Sequence, residues 1–545
     1  MQKIYSLVAG KTVLTLFLLI LTAGLAKAQS VYLPQSYQFY QKFNGQIYSK
    51  GSLKHTSLRP FLIDSTVSTR YTELMNIGVD TTRKSWVSRK LFNEHLIQVN
   101  KKDFTFYGDF LSENIWGHDF DDPNTKPAYF HPIGVGPKAK LGLNTRGFQF
   151  GGTVGSKFSF YTSGYENQAV FPSYYNRYVD SLGFVPGQGY DRSFGKTTKD
   201  YSYVTALLSY TPIKELNITL GQDKTFIGDG YRSLLLSDFA ANYPMLRVTA
   251  NVSKFQYMMM WTMLQDINEK KFDSFGSNRR KYGLFHYLDY NVTNSLSLGF
   301  FNAVIIPEAD VNGNRRGFDI NYINPIVFIP GSGPSSQPAN TMVGFTGKYK
   351  FLDKNAIYAQ YLIDKLQSGS GGKNRTGLQL GARGGDIFGV KNLSYIMEYN
   401  TVQPDTYSDN QTLTYYTFYG QPLGHPLGAN FKEYLGIMNY TAGRFDFQGQ
   451  LTYSRYGYDG TVFDYGYNQS MRQYPAAVRF PLGPGVTTSV RYAEGTVSFM
   501  VNPKYNFRFE LAGLYRDERN ALGSKKTAMI SFGLRTTFRN LYHDF

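Results

Sequence analysis

Residues able to do chemistry are sparse in this chain, and they collect in two Gly-containing stretches. Thr225-Phe226-Ile227-Gly228-Asp229-Gly230-Tyr231-Arg232-Ser233 combines flexible glycines with a carboxylate, an aromatic ring and a guanidinium. Ring stacking plus charge-assisted hydrogen bonding is the chemistry by which proteins grip sugars. The same residues also allow a plainer arrangement, in which Asp229 and Arg232 pair with each other and fix the loop. The second stretch is Gln421-Pro422-Leu423-Gly424-His425-Pro426-Leu427-Gly428-Ala429-Asn430. Its prolines and glycines impose one loop path, so order in the loop is as natural a role for its polar residues as ligand contact.

Catalytic and metal motifs do not assemble. Gly151-Gly152-Thr153-Val154-Gly155-Ser156-Lys157 is one residue short of a phosphate loop, and Phe158 stands where a metal-binding Ser or Thr belongs; it reads as a hairpin turn. Gly369-Ser370-Gly371-Gly372-Lys373 lacks the four-residue gap of that motif and reads as a loop tip. The seven histidines, His55, His95, His118, His131, His286, His425 and His543, form no HExxH pair, and there is no Gly-x-Ser-x-Gly elbow. Cysteine is absent, which removes disulfides and thiolate metal sites. The reading is a binding protein without catalytic residues, cofactor or metal.

The elements that must position those loops follow from composition and periodicity. Residues 1–28 have the form of a signal peptide: Lys3 and Lys11, an apolar run from Thr12 to Leu25, then Ala26-Lys27-Ala28 before Gln29. After residue 28 no apolar run approaches the roughly 20 residues of a membrane helix. Yet the chain holds 45 Tyr, 42 Phe and 54 Gly with a mean hydropathy of −0.34. A membrane β-barrel reconciles these facts, because lipid-facing residues alternate with polar lumen residues and aromatic girdles mark both interfaces. The formal charge is +17, and losing Lys3, Lys11 and Lys27 with the signal leaves +14. In an exported chain that charge points to lipid phosphates or acidic surface glycans rather than nucleic acid.

Residues 29–100 show no strand-like alternation, and Lys84–Asn100 places Val87, Leu91, Phe92 and Leu96 on one side of a helix, so a small, partly helical periplasmic segment is expected there. Hairpins fill residues 101–545. The clearest runs from Tyr203 to Tyr210, turns at Thr211-Pro212-Ile213-Lys214-Glu215, and returns with Leu216, Ile218 and Leu220 alternating with polar residues. Seven similar turns lie near residues 155–157, 251–254, 291–294, 353–355, 389–392, 442–444 and 502–505. Eight hairpins plus unpaired runs at 103–111 and 527–538 give about eighteen strands, with nine longer connections at the opposite, extracellular end. On the strand from Asn506 to Leu514, Phe507, Phe509 and Leu511 should face lipid and Arg508 and Glu510 the lumen. Phe545 has the aromatic character expected at the end of a final barrel strand.

Four ordered motifs make the chain recognisable: Ile227-Gly228-Asp229-Gly230-Tyr231-Arg232-Ser233-Leu234, Ile323-Asn324-Pro325-Ile326-Val327-Phe328, Ala359-Gln360-Tyr361-Leu362-Ile363-Asp364, and Gly424-His425-Pro426-Leu427-Gly428-Ala429-Asn430. In this order they resemble the Wzi-type capsule assembly family, in the form of its Bacteroidota branch, which includes RemB-like gliding-motility proteins. The resemblance runs from Lys90-Leu91-Phe92-Asn93-Glu94-His95-Leu96 to Phe538. It implies an 18-stranded outer-membrane barrel with a periplasmic helical part, acting as a surface lectin that retains or assembles capsular polysaccharide. Gliding motility or adhesion is the alternative role, and a diffusion channel a third. Asp229, Tyr231, Arg232, Asn324, His425 and Asn430 are then the candidates for binding glycan or ordering the loops. Expected partners are outer-membrane lipid, acidic surface polysaccharide, other surface or motility proteins and the outer-membrane assembly machinery. If Arg232 grips polymer, Arg232→Ala should leave the barrel intact and release it.

Overall fold

Apolar–polar alternation sustained over many residues can bury one face and expose the other only in a strand, and here each such run is one. The structure, a computed structural model, describes residues 32–121, 141–192, 198–267, 279–309, 314, 339–365, 374–409, 412–458 and 486–545. Its long strands are β1 Phe104–Asp119, β2 Leu141–Val154, β3 Phe158–Val170, β4 Lys199–Ile213, β5 Leu216–Asp223 and β6 Tyr243–Val252. They continue as β7 Phe255–Asp266, β8 Arg279–Asn291, β9 Leu296–Pro307, β10 Asn340–Phe351, β11 Asn355–Lys365 and β12 Arg375–Gly385. The last are β13 Leu393–Val402, β14 Phe431–Ala442, β15 Phe445–Tyr458, β16 Val486–Asn502, β17 Phe507–Asn520 and β18 Gly523–Arg535. Every neighbouring pair is antiparallel, and β18 closes on β1 from Met529↔Asp119 to Leu534↔Asn114, giving a barrel of 18 strands.

All eight tight turns fall where the sequence places them. The opposite end differs from expectation in one connection. Between β17 and β18 the chain turns in two residues, 521–522, with Asn520 paired to Gly523, whose φ of +138° suits glycine. Eight of the nine connections at that end are therefore long, not nine. The terminal strands also differ: β1 runs to Asp119 rather than residue 111, and β18 spans Gly523–Arg535 rather than 527–538. Two ladders account for this: the upper part of β1, Asn114–Asp119, pairs with β18, and β18 pairs with β17 from Gly523↔Asn520 to Arg535↔Arg508.

The outer face is apolar, as a wall against hydrocarbon must be. On β17, Phe509 and Leu511 are 53% and 49% exposed while Arg508 is 4% exposed, which is the register expected. Near the short turns, rings pair across strands, Phe158 on Tyr210 at 4.5 Å and Phe255 on Tyr290 at 4.4 Å, forming part of an aromatic girdle. Among the described residues no helix is long and apolar enough to cross a membrane.

Much of the inner face is covered. From the short-turn end, residues 33–61 enter the barrel, with Tyr40, Phe43 and Ile47 packed against Ala356 of the wall. Below them lie the helices Ser65–Met75, capped by the Asp64 carboxylate accepting from the Val67 N–H, and Trp86–Phe92. The second helix is shorter than the sequence suggests. It stops at Phe92, leaving Leu96 outside it, because Ile97–Lys101 pairs with the lower part of β1, which β18 does not reach. Residues 224–242, 403–409 and 412–430 of the long connections fold inward and are knitted together: the Tyr407 and Tyr416 hydroxyls donate to the carbonyls of Leu234 and Leu235 at 2.7 and 2.6 Å, and the Ser237 N–H to that of Leu423 at 2.7 Å. Leu234, Leu235 and Leu236 pack among Met258, Met260 and Phe301 of the wall. Finally, residues 536–545 leave β18 and turn into the lumen. Phe545 packs against Tyr178 at 4.7 Å and Tyr175 at 5.3 Å, so it lies in an inward tail and not at the end of the last strand, where the sequence reading had put it.

Candidate functional site

The two sequence motifs meet inside the barrel. Glycines at 228 and 230 let the backbone of the first motif fold tightly against the lumen wall, where Gln360 and Glu398 side chains project. Asp229 turns toward the N-terminal plug: it accepts from the Tyr48 hydroxyl at 2.9 Å and from the Thr56 and Ser57 hydroxyls, with Lys348 at 3.8 Å. Burial opposes its ionisation, but Lys348 and the Ser57 and Thr56 hydroxyls outweigh burial and hold the carboxyl at about 2. Arg232 turns the other way. Its guanidinium donates to the Asp544 carboxylate and carbonyl of the C-terminal tail, both at 2.9 Å, and lies 3.5 Å from Glu433 of β14. Burial works against this charge as well, and Asp544 and Glu433 more than compensate, raising it well above the usual arginine range. Asp229 and Arg232 therefore do not pair with each other, because three residues of tight backbone aim them at opposite plugs.

His425 approaches the same carboxylate from the second motif. Its Nε2 lies 2.9 Å from Glu433, while Nδ1 accepts the Leu427 N–H at 3.2 Å, so Nε2 carries the proton. The ring stacks on Phe431 at 4.3 Å, and burial pushes its pKa down. Tyr231 donates its N–H to Glu398 at 2.5 Å and its hydroxyl to Asp544 at 3.1 Å, with its ring edge-on to Tyr37 at 4.9 Å. Asn430 takes a positive φ of 56° at the start of β14, where its carbonyl accepts the Gly457 N–H at 3.1 Å. Asn324 lies outside the described residues. Asp229, Tyr231, Arg232 and His425 thus converge on one knot joining both inward loops, the N-terminal plug and the tail, while Asn430 serves the backbone turn into β14.

At the long-loop rim a different group of side chains meets solvent. Tyr190, 42% exposed, lies edge-on to Tyr419 at 4.9 Å, and Tyr419 stacks on Phe184 at 4.7 Å. Close by in the chain, Arg192 bridges Glu166 and Asp200, and Lys199 bridges Asp191 at 2.9 Å and also Asp180. An accessible aromatic face bordered by charged side chains can stack a sugar ring and hydrogen-bond its hydroxyls. Sequence reading missed this pair. Tyr190 and Tyr419 are 229 positions apart in the numbering and belong to no motif, and the one available signal was the general wealth of aromatics in the long loops.

The barrel is similar to solved outer-membrane barrels. Wzi of Escherichia coli, described as a carbohydrate-binding β-barrel involved in Group 1 capsule assembly, matches with a TM-score of 0.55 at 13% identity, over 93% of this chain and 99% of that one. OprD of Pseudomonas aeruginosa matches with a TM-score of 0.41 at 10% identity, over 79% of this chain and 94% of that one. OccAB2 of Acinetobacter baumannii gives 0.42 at 11%, over 79% and 96%. No curated protein sequence matches. The protein is an outer-membrane barrel. The family model for capsule assembly protein Wzi matches residues 139–507, more than half of the sequence, and the chain belongs to that family.

Proposed function

We propose that this protein binds capsular or exopolysaccharide at the cell surface and anchors it there, acting by binding alone. The observation that carries this reading is the family match over residues 139–507, joined to a lumen into which residues 224–242, 403–409 and 412–430 pack. A lumen occupied in this way favours holding over conduction, since a diffusion channel needs a continuous aqueous path. The related Escherichia coli barrel, described as carbohydrate-binding, supports the same ligand class. Neither the family model nor these structures favours a motility role. The polymer's contact surface is the long-loop rim, with Tyr190 and Tyr419 as stacking faces, while Asp229, Arg232 and His425 hold the loops that build it.

Attachment of a polymer through many weak contacts is multivalent, and for an acidic polymer it weakens as salt screens the charges. Purified protein on an array of its own cell's surface glycans should bind at low salt and release as salt rises, with Tyr190→Ala/Tyr419→Ala binding several-fold less. Proteoliposomes should show no solute-dependent swelling. Rapid swelling together with no glycan bound at any salt concentration would replace this reading with the channel.

A further inference from the structure

The outward faces of β14 to β18 change character near their long-loop ends. Cross-strand register places Tyr434, Tyr453, Arg491, Asp517 and Lys526 in one outward row. The next row toward the loops holds Lys432, Arg455, Ser489, Arg519 and Ser524. All five cations of these rows are exposed, and the single carboxylate in them, Asp517, is bridged by Arg519 at 2.6 Å. Adjacent strands lie about 5 Å apart, so this is one dense basic patch on the wall's outside, not in the lumen.

Directly beneath it the wall carries only small residues along β16. Outward positions on β16 after Arg491 are Ala493 and Gly495, and Gly449 and Gly513 are the cross-strand partners of Gly495. A Cβ added at Gly449, Gly495 or Gly513 would meet open space, so neighbouring side chains do not demand glycine at these positions. Leu451 and Tyr515 stand on either side of Ala493. The result is a furrow that descends from Arg491 into the apolar band for about 13 Å.

We propose that this patch and furrow form a site for a phosphorylated glycolipid of the outer leaflet, the cations taking its phosphates and the furrow part of an acyl chain. Basic clusters at the membrane surface attract anionic headgroups, and arginine forks match phosphate oxygens in pairs. The position agrees with this occupant, since the patch begins in the row of Tyr434 and Tyr453, whose amphipathic rings suit the interface. A second copy of the chain fits worse, because a two-fold contact here would set the same cations against each other. An acidic polysaccharide shares the charge but has no chain for the furrow.

Native mass spectrometry of the detergent-solubilised protein, with bisphosphorylated lipid A and the same lipid dephosphorylated as probes, tests the proposal. The unaltered protein should carry the phosphorylated lipid at least ten-fold more than the dephosphorylated one. Arg455→Gln/Arg491→Gln/Lys526→Gln should erase that preference while keeping the folded mobility on unboiled gels, and Gly495→Leu should weaken both lipids alike. Equal binding of the two lipids to the unaltered protein would overturn the site, and this comparison needs no variant to fold. Displacement of bound lipid A by an acidic polysaccharide without acyl chains would overturn it as well.

Discussion

Strand β17 carries two solutions to the same problem on its two faces. Outward, Phe509, Leu511 and Tyr515 are satisfied by lipid and by the alternation that points them there. Inward, Arg508 donates to Glu510 at 3.0 Å, and Glu510 accepts from Arg535 at 2.9 Å. Arg535 in turn reaches Glu113 of β1 at 3.1 Å, which Arg539 of the tail also holds at 2.8 Å. Within the apolar band, below the charged rows of Asp517 and Arg519, the outer face asks of the chain only that its residues be apolar. The inner face asks for a specific charged partner, often delivered from hundreds of residues away. Tolerance should therefore be broad outside and narrow inside, because a buried charge stripped of its partner is costly whereas one apolar side chain serves nearly as well as another in hydrocarbon.

The sharpest test of that contrast is Arg232→Ala. It would leave Asp544 and Glu433 buried without their guanidinium, and we expect a loss of about 3–5 kcal/mol, read as a lower temperature at which the fast-migrating folded band disappears from unboiled gels. This replaces the sequence-based expectation of an intact barrel that sheds polymer; a variant as heat-resistant as the parent would show the knot to be dispensable. On the outer face, Phe509→Arg should cost about 2–4 kcal/mol if it lies near the bilayer midplane, while Phe509→Leu should fold like the parent. Equal damage from both would mean that the outer face, too, is read residue by residue.

The smallest effect concerns Asp229, whose carboxyl sits at about 2 in the fold against an ordinary 3.8. A depressed carboxylate stabilises the fold above its unfolded value and loses that contribution as pH falls through the folded value. Stability should thus be full above pH ~4 and decline toward pH ~2 by roughly 2 kcal/mol. Asp229→Asn should flatten that decline in acid melting curves. An unchanged slope would place the acid sensitivity elsewhere in the lumen.

How much of this was legible in the sequence depends on the range of the interactions involved. Strand register, the eight tight turns and the lipid-facing residues of β17 are local: each follows from period-two alternation and a few turn residues. The two motifs were visible as unusual loops, and in order with the motifs at 323–328 and 359–364 they pointed to the family. Their roles were not visible, because the partners of Asp229 and Arg232 are Tyr48, Thr56, Ser57 and Asp544, at opposite ends of the chain. The inward path of residues 536–545 was missed for the same reason, since it depends on where the lumen charges end up, whereas the turn at 521–522 is local but lies between polar strand ends, Arg516–Asn520 and Ser524–Lys526, that show no apolar alternation. The sequence by itself determined an exported barrel with an alternating wall, because lipid enforces that pattern strand by strand. Only the tertiary structure decided that loops and both chain ends pack into the lumen and which charges meet there, because closing a ring of strands brings together side chains that no local rule relates.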